Sequence, residues 1–152
     1  MPYGRKMIFQ TKLTDVASSD KEGVGTIRKE GDNEYIWCKG VASTVAGSAV
    51  GIDESHATAL LTTTTGAAPR RVGFAKAAIV ASKWGWYQIR GTSVPMSLAA
   101  SCAKDVALYT TATGGVLDDE SSSTHKVLTV VADTAVTSAA VSAGHICYPH
   151  TI

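Results

Sequence analysis

The sequence is poor in charged side chains. Asp, Glu, Lys and Arg make up 18% of its 152 residues, whereas globular domains average about 25%. The net charge of +1 provides no long-range field that would attract nucleic acid or anionic lipid. Much of the surface must therefore consist of Ser, Thr, Ala and Gly. Such a surface costs little free energy to desolvate and therefore suits packing against other protein. The alternative is that the low charge is a general bias of the composition and indicates no binding partner.

The sequence also lacks the motifs of common enzymes. It contains no Gly-x-Ser-x-Gly elbow, no phosphate-binding loop and no dinucleotide fingerprint. No apolar stretch approaches the length of a membrane span, and the basic start of the chain is not followed by an apolar run typical of a targeting segment. We therefore expect no enzymatic activity, no cofactor, and no direct contact with nucleic acid or membrane.

Cysteine is scarce, with only Cys38, Cys102 and Cys147. An odd number cannot form a complete set of disulfides within the chain. The neighbours of all three are apolar, which predicts buried, reduced thiols and synthesis in a cytoplasm.

Two groups of polar residues were weighed as chemical sites. His145, Cys147 and His150 have ligand character, but a structural zinc site needs a fourth ligand, which His125 or Cys38 would have to supply. A metal-binding enzyme is therefore a minor alternative, with an edge strand near the terminus as the simpler interpretation. The three carboxylates of residues 117–120 precede a Ser run and are expected to be solvated in a loop.

The pattern along the chain predicts an all-β fold with an N-terminal arm. Residues 1–23 are largely polar and are interpreted as an extended arm. A fully extended segment of about twenty residues can span roughly 65 Å. Residues 24–152 are interpreted as one β-rich domain. Residues 24–30 and 34–40 flank a Gly-Asp-Asn turn and predict a hairpin.

Further elements follow from turn signals and β-branched residues. Residues 41–69 are expected to form a loop and one short strand, with a helix possible near residues 57–61. Residues 113–115, Thr-Gly-Gly, predict a hairpin turn. Residues 133–144 are expected to form a connection that could hold a turn of helix, between strands at 126–132 and 144–150.

The densest aromatic stretch is Lys-Trp-Gly-Trp-Tyr-Gln-Ile-Arg-Gly at residues 83–91. Alternation places Trp84, Trp86, Gln88 and Arg90 on one face and Tyr87 and Ile89 on the other. Gly85 inside this pattern predicts a bulge or a close approach. Aromatic residues of this kind suit a core or a subunit interface, for which the candidates are Trp84, Trp86, Tyr87 and Arg90.

The aromatic strand at 85–91, the Leu-Tyr pair at 108–109 and the Gly-Gly-Val-Leu turn at 114–117 together resemble head decoration, or cement, proteins of tailed bacteriophages. The resemblance spans residues 24–148, and the arm before residue 24 departs from compact members. It implies a small β-barrel or β-sandwich subunit, usually a homotrimer. It also implies a place on the capsid exterior of a virion, where the subunit binds the major capsid protein and stabilises contacts between coat subunits.

The arm supplies the candidates for partner binding. These are its apolar and aromatic residues: Tyr3, Met7, Ile8, Phe9 and Leu13. The alternative function is a carbohydrate- or host-binding β-module of a phage surface or fibre protein, which would require Trp84 and Trp86 to be exposed together as a stacking platform.

Overall fold

A computed structural model describes residues 8–121 and 125–152 of the chain. This part of the chain is nearly all β, as expected, and holds ten strands and one 3-10 helix. The elements are β1 (Ile27–Glu30), β2 (Asn33–Lys39), β3 (Ala49–Ile52), β4 (Thr58–Leu60), the 3-10 helix (Thr65–Ala67), β5 (Arg71–Ala75), β6 (Trp84–Leu98), β7 (Leu108–Thr110), β8 (Leu117–Asp118), β9 (Lys126–Ala132) and β10 (Ala140–Thr151). No helix among the described residues is long and apolar enough to cross a membrane.

Six strands close into a barrel, in the order β6, β8, β7, β9, β10, β5 and back to β6. Strand β6 is 15 residues long and pairs with β2, β5, β8 and β10 along different parts of its length. The hairpin β1–β2 extends the sheet beyond β6, and β3–β4 extends it beyond β5. Closure leaves few unpaired edges, which limits uncontrolled strand pairing with other chains.

The buried side chains form three clusters. All six barrel strands contribute to the largest one, which includes Phe74, Met96 and Leu108. A second cluster lies between β2, β3, β5 and β6, around Ile36 and Tyr87. The third lies on the opposite face of β2 and β6. The two faces of these paired strands are therefore both buried.

Several local predictions are confirmed. Strands β1 and β2 form an antiparallel hairpin in which Glu30 faces Asn33 across a two-residue turn, and Gly31 has a φ of +60°. Strands β7 and β8 pair across the predicted Thr-Gly-Gly turn. The close approach expected at Gly85 is made by Ile79, because a Cβ at Gly85 would lie 2.5 Å from Ile79 Cδ1.

Two parts of the chain differ from expectation. Residues 41–69 hold two strands and a 3-10 helix rather than one strand, and the possible helix near residues 57–61 is strand β4. Strand β4 pairs with β3, and this tertiary pairing outweighs the helical preference of Ala59 and the neighbouring Ala57. The turn of helix considered within residues 133–144 is absent from this described segment, because β10 begins at Ala140 and pairs there with β6.

Candidate functional site

The aromatic strand is the centre of a buried cluster. Trp86 of β6 pairs with Trp37 of β2, their rings lie edge to face at 5.2 Å, and both are fully buried. Tyr35 is buried beside them on the same face of β2. The predicted alternation is confirmed, since Tyr87 and Ile89 belong to the cluster on the other face.

The described part of the N-terminal segment covers this cluster. The Phe9 ring meets Trp86 edge to face at 5.3 Å. Trp86 Nε1 donates to Thr11 Oγ1 at 2.9 Å, and Trp37 Nε1 donates to Asp20 Oδ1 at 2.7 Å. These residues therefore satisfy both indole N–H groups, which would otherwise be buried without an acceptor.

Backbone contacts hold the same segment to the sheet. Ala17 and Trp84 exchange two backbone hydrogen bonds, of 2.9 and 3.0 Å. Arg28 Nη1 donates to the Thr11 carbonyl at 2.8 Å, and the Arg28 guanidinium lies 4.8 Å from the centre of the Phe9 ring. Residues 9–20 thus pack against the sheet through both side-chain and backbone contacts.

The predicted partner-binding residues divide into three groups. Tyr3 and Met7 lie outside the described residues. Ile8 is 90% exposed and is available for contact with another protein. Phe9 and Leu13 are half-buried against the aromatic cluster, so their apolar surface is largely committed within this chain.

The predicted core or interface residues occupy different environments. Trp86 and Tyr87 are fully buried in the core. Trp84 is half-buried, with Lys39 Nζ 5.6 Å from the centre of its ring. Arg90 is half-buried and forms an ion pair with Glu34. An exposed pair of Trp84 and Trp86 is absent from the surface of the described chain, because Trp86 has no exposed area.

A polar group that the sequence did not reveal forms where β2, β6 and β10 meet. Arg90 Nη1 lies 3.5 Å from Glu34 Oε2, and the Tyr148 hydroxyl donates to the same oxygen. This hydrogen bond raises the pKa of Tyr148, because ionised Tyr148 would place a second negative charge against Glu34. A bulge in β10 between Ile146 and His150 gives Tyr148 its position, with a φ of 50°.

Two cavities share Arg71, and the larger of the two is lined by Glu34 and Tyr148 of this group. The larger has a volume of about 370 Å³ and is lined by Ile27, Glu34, Arg71, Ile89 and Tyr148. The smaller, of about 250 Å³, is lined by Ile52, Asp53, Glu54, Ala68, Pro69, Arg70 and Arg71. Arg71 lies on both walls, so the two cavities are neighbours.

The proposed ligands His145, Cys147 and His150 do not form a metal site in the described chain. His145 Nδ1 instead lies 2.6 Å from Asp133 Oδ1. Ligand atoms of three His, Cys, Asp or Glu residues come within 4.8 Å of one another only at Cys102, Asp118 and Asp119, among residues 8–121 and 125–152.

The thiol and carboxylate predictions need correction. Cys38 and Cys102 are buried as expected, but Cys147 is exposed because it lies at the β10 bulge. Asp118 and Asp119 are half-buried rather than solvated, and Asp119 Oδ2 accepts the Ala103 N–H at 3.0 Å. Burial raises the pKa of Cys102 to about 11, and that of Asp118 is also raised by burial. The Cys102 thiol is therefore protonated near neutral pH.

Three segments without a single Asp, Glu, Lys or Arg come together at a surface patch where Gly47 and Ser97 lie beside the exposed Val141. They are residues 41–52, 91–103 and 134–144, and we call this surface the uncharged face. Ser97 N donates to Gly47 O at 2.8 Å, and Val141 pairs with Ser97 across β6 and β10. Val45 and Val141 are each 53% exposed there. Other exposed residues of the same three segments are Ala42, Ser43, Ala46, Ala100, Ala139, Ala140 and Ala143.

No protein-family model, curated protein or solved structure matches this chain.

Proposed function

We propose that this chain is a structural virion protein that binds the outer surface of a phage capsid as an oligomer, most simply a homotrimer. It would contact the major capsid protein and stabilise contacts between coat subunits. The observation that carries this proposal is the uncharged face, which brings three separate uncharged segments to one surface. The closed β-barrel is compatible with the subunit that the sequence resemblance implies.

The chemistry of the uncharged face favours contact with protein. Alanine side chains lose no rotamer entropy on burial, and valine and serine lose little. Burying such groups avoids the large cost of desolvating charges. The exposed Val45 and Val141 add apolar area that water would release on contact. A surface of this kind gains little per subunit, and it becomes effective when several copies bind together.

Oligomerisation would place several such faces on one assembly. In a trimer, three identical faces bind one particle, and the second and third contacts benefit from a high effective concentration. Ile8, at 90% exposure, adds an apolar contact from the N-terminal segment of each subunit. The capsid exterior is the corresponding location, and the host cytoplasm is the site of synthesis.

The carbohydrate-binding alternative loses its main support in this fold. It required Trp84 and Trp86 to present a joint stacking surface, and Trp86 is fully buried beneath Phe9 and Thr11. We therefore propose the capsid role alone.

The first test is co-sedimentation of the purified protein with capsids that lack it. The proposal expects saturable binding at a copy number equal to that of the coat protein, or a simple fraction of it, and a trimer by sedimentation equilibrium. Absence of saturable binding would refute a capsid role.

Point variants then test the uncharged face. Val141→Asp should weaken capsid binding by about tenfold or more, because an unpaired charge buried at an interface costs more than ~1.4 kcal/mol. The matched control is Val24→Asp, which changes another exposed valine, 39% exposed, in the loop before β1. If both variants bind as well as wild type, the uncharged face is not the attachment surface.

A further inference from the structure

The larger cavity combines an apolar lining with Arg71, whose guanidinium has no ion-pair partner among the residues that the structure describes. Ile27 and Ile89 supply apolar walls, and Arg71 is exposed at the start of β5. The Arg71 side chain makes no hydrogen bond or ion pair with any other residue of 8–121 and 125–152. We propose that this cavity binds a small organic carboxylate with an apolar body, whose carboxylate pairs with Arg71.

The acidic residue in the cavity does not compete for Arg71. Glu34 Oε2 is engaged by both Arg90 Nη1 and the Tyr148 hydroxyl. Its charge is therefore balanced by Arg90, and the cavity as a whole retains the positive charge of Arg71. A planar guanidinium pairs with a carboxylate through two parallel hydrogen bonds, a geometry that an isolated Lys does not offer.

Arg70 adds a second donor at the neighbouring cavity. Its Nε is buried and has no acceptor within the described chain. Its side chain is held over Gly51, since a Cβ at that glycine would lie 3.0 Å from Arg70 Cδ. Because Arg70 lines only the smaller cavity and its Nε has no accessible surface, the carboxylate is assigned to Arg71 alone.

The acidic residues of the smaller cavity limit where the anion can sit. Asp53 Oδ1 already accepts the backbone N–H groups of Ser55 and Ala57, at 2.9 and 3.0 Å. Glu54 is exposed at the rim of the same cavity. Both would repel an anion placed deep in the smaller cavity. The carboxylate therefore belongs at Arg71, with its apolar body directed towards Ile27 and Ile89.

The dimensions select a small ligand. A volume of about 370 Å³ lies near the lower end of the ~300–1,000 Å³ typical of ligand cavities. Its apolar part suits a short alkyl chain or a single ring, and the Tyr148 ring offers a further apolar surface. This binding would be independent of attachment to a capsid, because the uncharged face is built from other segments.

The test is a titration of the full chain with hexanoate, followed by amide chemical shifts in ¹H–¹⁵N NMR spectra. Acetate, which lacks the apolar body, and 1-hexanol, which lacks the charge, are the reference compounds. We expect saturable shifts at Ile27, Arg71, Ile89 and Tyr148 with hexanoate. Binding of either reference compound should be weaker by about tenfold or more.

Variants distinguish binding at the Arg71 cavity from non-specific association of hexanoate with the protein. Arg71→Gln should weaken hexanoate binding by about tenfold or more, whereas Arg71→Lys should retain part of the affinity. Lys104→Gln, which removes a side chain that is 62% exposed and lies outside this cavity, should bind as wild type. Because Arg71 is exposed, all three variants are expected to keep the wild-type spectrum. Equal binding to Arg71→Gln and wild type, or no saturable shift with hexanoate, would overturn the proposal.

Discussion

Replacing Thr11 by Val tests whether the N-terminal segment is part of the folded core. Thr11 is 6% exposed, and its hydroxyl accepts the Trp86 indole N–H at 2.9 Å and donates to Glu22 Oε1 at 2.9 Å. Valine has nearly the same shape, so the segment can remain in place over Trp86. The indole N–H would then stay buried without an acceptor.

The magnitude follows from the two lost hydrogen bonds. A buried donor left without an acceptor costs about 1–3 kcal/mol, and the hydrogen bond from the Thr11 hydroxyl to the Glu22 carboxylate contributes about 1.5 kcal/mol, the lower end for a charged acceptor, because Glu22 is partly exposed. Part of this is offset because the valine methyl is more favourably buried than the hydroxyl, by roughly 0.8 kcal/mol. We expect the free energy of unfolding to fall by about 2 kcal/mol.

Urea unfolding followed by tryptophan fluorescence measures this change. With a slope of ~1–3 kcal/mol per molar urea, the midpoint should fall by about 1 M. Thr11→Ser keeps the hydroxyl and should lose less than half as much stability. Thr14→Val, an exposed change in the same segment, should leave the midpoint unchanged. A Thr11→Val midpoint equal to that of wild type would contradict the packing of Thr11 against Trp86, as would a Thr11→Ser variant as unstable as Thr11→Val.

Three further predictions concern other parts of the chain. Deleting residues 1–20 should lower the urea midpoint, since it removes Phe9, Thr11 and Asp20 from the aromatic cluster. A midpoint equal to that of the full chain would mean that the segment is dispensable. In the native protein at pH 8, a thiol reagent should modify the exposed Cys147 rapidly. It should modify Cys38 and Cys102 only after unfolding, because both are buried and burial raises the pKa of Cys38 to about 12 and that of Cys102 to about 11. Equal reaction rates for the three thiols would contradict this prediction. The hydrogen bond from Tyr148 to Glu34 raises the pKa of Tyr148, so its stabilising effect is present below about pH 10 and lost above it. The difference in the free energy of unfolding between wild type and Tyr148→Phe should therefore shrink above pH 10. A difference that stays constant would disprove the contribution of this hydrogen bond to stability.

Local features of the fold could be predicted from the sequence because they depend on neighbouring residues. Alternation along β6 assigned the two faces of that strand, and the Gly-Asp turn predicted the β1–β2 hairpin. The unusual glycine at position 85 correctly indicated a close approach, which Ile79 makes. These signals are written within a few residues of the element they define.

The features that were missed depend on residues far apart in the chain. Glu34 and Tyr148 are separated by 114 positions, and their contact requires both the β2–β6 pairing and the β10 bulge. That bulge also exposes Cys147, which its apolar neighbours had suggested was buried. The packing of residues 9–20 against the sheet also had no signal in the sequence, because the few apolar residues of this polar segment are insufficient to define an element. The segment is held through hydrogen bonds to two indoles, for which no periodic pattern exists.

The separation of charge along the chain links the fold to both proposals. Residues 41–52, 91–103 and 134–144 contain no charged side chain, and strand pairing brings them to one surface. Strands β6 and β10 each continue from that surface into a region with charged residues, where Arg90 and Tyr148 engage Glu34. One strand pair therefore carries the proposed protein contact on one part of its length and borders the proposed carboxylate site on another. Val141 lies on the uncharged face and Arg71 lines the larger cavity. A substitution of Val141 should therefore leave carboxylate binding intact, and a substitution of Arg71 should leave capsid binding intact. Loss of both activities in either variant, with the fold retained, would mean that the two surfaces are coupled through the β6–β10 pair.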